Sequence, residues 1–308
     1  MIRVAGLRKT YGGFTAVEGS DFSADAGEIF GIVGPNGAGK TTTLKMLSGL
    51  IEPTAGEAEI AGYDVADPEM RRVLGFLPEE SPLYENMTAR SYLGFFADLY
   101  DVPADVAEER TERTLDRLDL EHRNRRLGDV SKGMKRKVAI ARSLVNDPDV
   151  LVYDEPASGL DPLTTNEVLR FIEELADGGK TVVFSAHNLY HVADLCDRVV
   201  VMNRGEIIAR GTVPDIRAEH GDTTYRLYAT VPLPESEQEG DRHVVEVDSL
   251  DAADEVRERV QEADGEVTDI RSREPSLEDV FLELTGDRMR ARQPREAAAA
   301  ENDGGGEA

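Results

Sequence analysis

The sequence contains a single cysteine, Cys196, and no tryptophan in 308 residues. One cysteine excludes an intrachain disulfide and a cysteine-based zinc cluster, and it fits a reducing, cytoplasmic setting. No run of about 18 apolar residues is present, so we expect no membrane-spanning segment. The first residues, MIRVAGLRKTYGG, lack the apolar core of a signal peptide. These absences argue against a secreted disulfide-rich protein and against an integral membrane protein.

Positive charge is also scarce. The chain has 35 Lys and Arg against 61 Asp and Glu, a formal net charge of −26 at pH 7. Such a chain repels nucleic acid over most of its surface, so we expect no nucleic-acid partner. Solubility alone could explain the charge. The composition favours a halophilic protein, because high salt screens the self-repulsion of so many carboxylates.

Strand-like and helix-like segments alternate through the first part of the chain. The apolar runs EIFGIVG, DVLVYDE and TVVFSAH predict strands buried on both faces of a parallel sheet. Residues 79–146 predict a helical subdomain instead, with Thr88 and Ser131 as helix N-caps. We therefore predict an α/β domain over 1–220, a small α+β domain over 221–286 and a disordered acidic tail over 287–308.

The segment GIVGPNGAGKTTTLKMLSGL combines an apolar strand, a glycine-rich loop and a helix. Gly34, Gly39, Lys40 and Thr41 satisfy the spacing G-x-x-x-x-G-K-[ST]. In that arrangement, loop N–H groups and the helix N-terminus bind the phosphates of a nucleotide. Lys40 reaches the β- and γ-phosphates, and the hydroxyl of Thr41 binds Mg²⁺. The sequence thus predicts a nucleotide site rather than a plain glycine turn.

Two further segments complete this chemistry. DVLVYDEP ends a buried strand with Asp154, which can hold Mg²⁺, and Glu155, which can orient or deprotonate an attacking water. VSKGMKRKVAIARSL places Ser131 and Gly133 at a helix N-terminus, which predicts another anion site. One nucleotide does not need two such sites from one chain, so we expect the second site to serve a second copy.

With these motifs, the chain resembles the ATP-binding subunit of an ABC transporter, in the branch with ABC-2 export permeases. GPNGAGKTT matches the Walker A loop, LVYDEP matches Walker B, SGLD matches the D-loop, and VSKGM stands where the family has LSGGQ. The resemblance implies an ABC ATPase domain with a RecA-like core and an α-helical subdomain, and ATP and Mg²⁺ as ligands. It also implies a homodimer that closes head to tail on two ATP molecules. A separate membrane permease would dock on residues 79–100, at the cytoplasmic face of the membrane.

The resemblance assigns further site residues. Tyr11, in KTYGGFTAV, would stack on adenine, and His187, in FSAHN, would act with Glu155 in hydrolysis. Glu79 stands where the family most often has Gln, and its carboxylate could still bind Mg²⁺. SLEDVFLELTG resembles part of the accessory domain of drug-exporter-type subunits. The rest of the Walker A loop would also bind nucleotide: Pro35, Asn36, Gly37, Ala38 and Thr42.

Other interpretations stay open. The basic residues Lys132, Lys135, Arg136 and Lys137 are interpreted as a solvated or docking face rather than as a nucleic-acid patch. The chain could also be the ATPase subunit of a solute importer. A soluble ABC protein acting on ribosomes or DNA is a third possibility, and the single phosphate loop, the absence of heptads and the acidic charge argue against it.

Overall fold

The computed structural model describes residues 1–220 and 223–285. The chain divides into two compact units between Thr212 and Val213. The sequence-based boundary at residue 220 places residues 213–220 in the first domain, so the two divisions differ by one short helix. The tail predicted over 287–308 lies outside the described residues.

The first unit consists of strands and helices in alternation. In chain order they are β1 (Ile2–Tyr11), β2 (Phe14–Ala24), β3 (Ile29–Val33), α1 (Lys40–Leu47), β4 (Ala55–Ile60), β5 (Tyr63–Asp64), β6 (Leu74–Leu77), α2 (Ala89–Leu99), α3 (Ala104–Arg117), α4 (Lys132–Ser143), β7 (Val150–Asp154), α5 (Pro162–Asp177), β8 (Thr181–Ala186), α6 (Leu189–Leu195), β9 (Arg198–Asn203) and β10 (Glu206–Gly211). Short 3₁₀ turns lie at Pro68–Arg72 and Leu127–Asp129.

A six-stranded sheet in the order β10-β9-β3-β8-β7-β6 forms the centre of this unit. All its neighbouring strands are parallel except β10, which is antiparallel to β9. Every residue of β3, β7 and β8 is buried, which explains their continuous apolar runs and confirms the three predicted strands. Because β3, β8 and β7 are parallel neighbours, the segments that follow them begin at the same edge of the sheet.

A second, antiparallel sheet in the order β2-β1-β4-β5 packs over α1 and the central sheet. Buried side chains of both sheets and of α1 form one hydrophobic core, with Ile2, Leu7, Ile32, Leu44 and Val152 fully buried. Helix α5 packs against β8 and α6 against β3. The result is a layered α/β unit, as the sequence predicts.

Helices α2, α3 and α4 lie between β6 and β7 in the chain. Both predicted N-caps are confirmed. The side chain of Thr88 accepts a hydrogen bond from the backbone N–H of Ser91 at 3.2 Å, and Ser131 does the same for Met134 at 3.2 Å. An ion-pair network joins α2 to α3, because the guanidinium of Arg90 binds both carboxylate oxygens of Glu112.

The second unit is a small α+β arrangement. Its elements are α7 (Val213–His220), β11 (Thr224–Ala229), β12 (Glu237–Glu239), β13 (Arg242–Val247), α8 (Leu250–Glu262), β14 (Val267–Arg273) and a helix over 277–285. The strands form an antiparallel sheet in the order β12-β13-β11-β14. The core of this unit joins Leu227 and Val245 of the sheet to Val256 and Val260 of α8.

Candidate functional site

The glycine-rich loop between β3 and α1 has a backbone that only glycine fits well. Gly34 and Gly39 have φ of +151° and +106°. A Cβ at Gly34 would lie 2.2 Å from the carbonyl oxygen of Met202, and one at Gly39 would lie 2.6 Å from that of Ala16. The loop is therefore held tightly against β9 and β2, and the pattern of glycines in the sequence follows from this close packing.

Lys40, the first residue of α1, extends back across this loop. Its side chain is 6% exposed, and its ammonium donates hydrogen bonds to the carbonyl oxygens of Gly34 at 2.8 Å and Pro35 at 3.3 Å. Thr41 and Thr42 follow it on the first turn and are half-buried. A fixed cation thus lies between the loop backbone and the helix N-terminus, the arrangement that suits a phosphate chain.

Asp154 and Glu155 lie at the carboxyl end of β7, as predicted, and Ser185 of β8 holds both in place. Its hydroxyl donates to Oδ1 of Asp154 at 2.6 Å and accepts the backbone N–H of Glu155 at 3.0 Å. Ser185 is fully buried, and Asp154 is 1% exposed. The hydrogen bonds of the described residues leave Oδ2 of Asp154 unused, so this oxygen suits a cation.

Glu155 joins the phosphate loop to the end of β8. One carboxylate oxygen lies 3.5 Å from the ammonium of Lys40, and the other lies 2.6 Å from Nδ1 of His187. Glu155 is 7% exposed, whereas the side chain of His187 is 54% exposed. The backbone of Glu155 is left-handed, with φ of +48°, which is uncommon for a residue other than glycine. The structure therefore brings three of the predicted residues into one contact chain.

The remaining predicted residues lie around this centre. Tyr11 ends β1 with its ring about half exposed, and the exposed Glu79 follows β6. Ser131 caps α4, and Gly133 lies in its first turn against Thr164 of α5. Among the described residues, no hydrogen bond joins Ser131 or Gly133 to the phosphate loop. That they serve a second copy stays a prediction.

Sequence reasoning missed Arg136, and its interpretation of the basic residues on α4 is wrong for two of them. Arg136 and Lys137 are buried, at 8% and 7% exposed. Lys137 pairs with Glu167 at 2.8 Å, and Arg136 donates to main-chain carbonyls at the ends of β6 and β7. Desolvation lowers the pKa of Arg136 to about 10. The missed signal is the helical spacing that puts position 136 on the same face as Ile140 and Ser143.

Ser185 was also missed, although it is a polar residue inside the apolar run TVVFSA. A hydroxyl in a strand buried on both faces needs hydrogen-bond partners, and these are supplied here by Asp154 and Glu155. This combination of a buried amine, a buried pair of carboxylates and a glycine-rich loop at a helix N-terminus fits a magnesium–nucleotide complex.

The comparisons with known proteins agree with this geometry. The family model described as ABC transporter matches residues 17–158, and the model for the C-terminal domain of DrrA1-3-like ATP-binding proteins matches residues 211–285. The daunorubicin resistance ATP-binding protein DrrA3 of Streptomyces coeruleorubidus is 36% identical, over 95% of this chain and 98% of that protein. The chain belongs to the ATP-binding subunits of ABC transporters.

Further relatives support the same family. The linearmycin resistance ATP-binding protein LnrL of Bacillus subtilis is 33% identical, over 94% of this chain and 100% of that protein. The dimeric, post-hydrolysis structure of the cassette MJ0796 bound to ADP and Pi has a TM-score of 0.63 and 25% identity, covering 69% of this chain and 98% of that chain.

These findings confirm the resemblance to the drug-resistance branch, the ABC ATPase fold and the prediction that the subunit hydrolyses ATP to power a transporter. The DrrA-like match also confirms the family of the accessory domain. Within residues 1–220 and 223–285, none of the helices is long and apolar enough to cross a membrane.

Proposed function

We propose that this subunit drives an ABC-2 type exporter through Glu155-dependent ATP hydrolysis. The observation that carries the proposal is the chain of contacts from the buried Lys40 through the buried Glu155 to the half-exposed His187. It places a carboxylate between the cation that binds phosphate and an imidazole at the edge of the site. Such a carboxylate can take a proton from water without leaving the reach of either neighbour.

The residues divide the work of hydrolysis. The loop from Gly34 to Thr42 binds the phosphates through its backbone N–H groups, and Lys40 balances the charge that develops as the γ-phosphate leaves. Glu155 accepts the proton of the attacking water, and His187 contacts the γ-phosphate. Tyr11 stacks on adenine.

A divalent cation completes the site. The residues that would hold Mg²⁺ are Thr41, Asp154 and Glu79, which offer one hydroxyl and two carboxylates. When bound, Mg²⁺ neutralises phosphate charge and fixes the orientation of the leaving group. The hydrogen bond from Ser185 keeps Asp154 in one orientation, so this carboxylate does not need to reorganise to receive the ion.

We also propose that two copies close head to tail on two ATP molecules. Ser131 and Gly133 of each copy then contact the ATP held by the other. The exposure of Ser131 and Lys132 at the N-terminus of α4 supports this arrangement, and so does the dimer described for the relative MJ0796. ATP binding closes the dimer, and hydrolysis opens it.

The helical insertion offers the surface for a membrane permease. Tyr84, Tyr92, Phe95 and Phe96 form a cluster of edge-on and tilted rings with centroids 4.9–5.9 Å apart. Tyr84 is 55% exposed and Phe95 39%, and Leu99 beyond them is 63% exposed. Contiguous exposed aromatic surface of this kind typically marks a protein interface. The permease on this surface keeps the subunit at the cytoplasmic face of the membrane.

Export is favoured over import because the full-length relatives DrrA3 and LnrL are named for resistance to daunorubicin and linearmycin. Resistance is served by removal of a compound from the cell. The same accessory unit is matched in this chain over residues 211–285.

Reconstitution tests the proposal. The chain, purified from solubilised membranes, should bring with it an integral membrane protein, and the complex in lipid vesicles should move its substrate in an ATP-dependent way. Glu155→Gln should bind ATP, accumulate as an ATP-bound dimer on gel filtration and stop both hydrolysis and transport. Lys40→Ala should lose ATP binding itself, because the phosphate chain loses its fixed cation.

Three outcomes would contradict the proposal. Wild-type hydrolysis by Glu155→Gln would remove this residue from the mechanism. Recovery of ribosomes or DNA and no permease would refute the transporter role. Movement of the substrate only into the compartment that contains ATP would mean that the complex imports its substrate, and it would favour the importer alternative.

A further inference from the structure

Arg136 is a buried cation whose hydrogen bonds go almost entirely to the main chain. Its guanidinium makes six hydrogen bonds. On one side, Nε donates to the carbonyl of Pro156 at 2.8 Å, and Nη2 donates to the carbonyls of Asp154 at 2.9 Å and Glu155 at 2.7 Å. On the other side, Nη1 donates to the carbonyls of Pro78 at 2.8 Å and Glu79 at 3.0 Å and to the hydroxyl of Ser81 at 3.3 Å. The five N–H groups of an arginine are thus all used, and none of these bonds goes to a carboxylate.

These contacts join two segments that are far apart in sequence. Residues 154–156 comprise the last residue of β7 and the two that follow it, and residues 78–81 follow β6, its parallel neighbour. One segment carries Glu155, and the other carries Glu79 at the start of the helical insertion. Arg136 itself belongs to α4, which begins at Ser131. A single side chain therefore connects both segments to the helix that carries the proposed second-copy site.

The segment after β7 needs such support. Glu155 has φ of +48°, and a left-handed backbone at a residue with a side chain persists only when its surroundings hold it. Ser185 holds its N–H from one side, and Arg136 holds its carbonyl and those of both neighbours from the other. A relaxation of φ to an ordinary negative value would swing the carboxylate away from Lys40 and His187.

We propose that Arg136 is a positioning residue for ATP hydrolysis. It keeps Glu155 in its reactive orientation and fixes the position of Glu155 relative to the loop that carries Glu79. This inference rests on the proposed role of Glu155 as the base. Charge alone does not do this work. A lysine ammonium has three N–H groups on one atom and cannot reach both loops as the planar guanidinium does.

The test compares Arg136→Lys and Arg136→Ala with Lys137→Met in the full-length chain. Lys137 is the matched control, because it is the adjacent residue of α4, is equally buried and pairs with Glu167 of α5 instead of with either loop. For each variant we would measure the ATP dissociation constant, kcat, KM and the urea midpoint of unfolding. Millimolar guanidinium ion would be added to Arg136→Ala.

Both Arg136 variants should bind ATP as the wild type does and lose about 100-fold in kcat, the size of loss that a misplaced catalytic group produces. KM should change little. Guanidinium ion should restore part of the kcat of Arg136→Ala. Lys137→Met should lower the urea midpoint and leave kcat unchanged.

Three other results would overturn the inference. Wild-type kcat in Arg136→Lys would mean that charge alone suffices. Loss of kcat in proportion to ATP affinity, or loss of folding in both variants while Lys137→Met folds, would mean that Arg136 serves the fold alone. Glu155→Gln, measured beside them, separates the two proposals: normal hydrolysis there refutes the base, whereas its loss with normal hydrolysis in both Arg136 variants refutes only the positioning role.

Discussion

Substitution of Ser185 by alanine removes two hydrogen bonds from the proposed hydrolysis site. Ser185 donates to the carboxylate of Asp154 and accepts the N–H of Glu155, and both partners are buried. A hydrogen bond to a charged group contributes about 1.5–3 kcal/mol, and an orphaned buried N–H costs about 1–3 kcal/mol. Together, Ser185→Ala should lower the free energy of unfolding by about 4 kcal/mol. For a unit of this size, that corresponds to a fall in melting temperature of roughly 8–16 °C.

Ser20→Ala is the matched control for this measurement. Ser20 is 2% exposed, and its hydroxyl has no hydrogen-bond partner among the described residues. The same chemical change there should leave the unfolding free energy within about 0.5 kcal/mol of the wild type or raise it. Urea unfolding of both variants, with equal m-values, gives the comparison. Equal stability of the two variants would refute the assignment of Ser185 as the support of Asp154 and Glu155.

Two further predictions concern charge. Hydrogen bonds from the guanidinium groups of Arg90 and Arg123 lower the pKa of Glu112 to about 2. The ion pairs of Glu112 therefore stabilise the fold fully above the ordinary carboxyl pKa of about 4.5, and this stabilisation is lost as the pH falls from about 4.5 through 2. The unfolding free energy of the wild type should fall more steeply over that window than that of Glu112→Gln, and parallel pH profiles would contradict this. The melting temperature should rise from low salt to molar KCl, because screening relieves the repulsion within a chain of net charge −26. A steady fall over the same range would remove the basis for salt adaptation.

The central strands and the phosphate site could be predicted because their physical signals are local. A strand buried on both faces must be apolar throughout, and β3, β7 and β8 show this directly. The carboxyl ends of parallel neighbours meet at one edge, so the motifs after these strands converge. The contact chain from Lys40 to His187 follows from that rule together with the family resemblance.

The antiparallel sheet was harder to predict because β1 and β2 alternate irregularly between buried and exposed positions and contain register shifts. Its strongest signal is the pair Gly12 and Gly13, which both have positive φ and join Tyr11 to Phe14 in a tight hairpin. Arg136 was misjudged for a different reason. A charged residue in a sequence usually indicates a solvent-exposed position. Only the structure reveals the ring of carbonyl groups whose hydrogen bonds offset the cost of burying this guanidinium.

The ring of carbonyls around Arg136 makes its contacts less sensitive to dissolved salt than the ion pairs on the surface of the molecule. Exposed ion pairs, such as the one between Arg117 and Glu174, weaken as ions accumulate around them. The guanidinium of Arg136 is shielded from solvent and is held by fixed peptide dipoles, which dissolved ions screen much less. In a chain of net charge −26, the junction between the helical insertion and the proposed hydrolysis centre should therefore depend on ionic strength much less than the acidic exterior does.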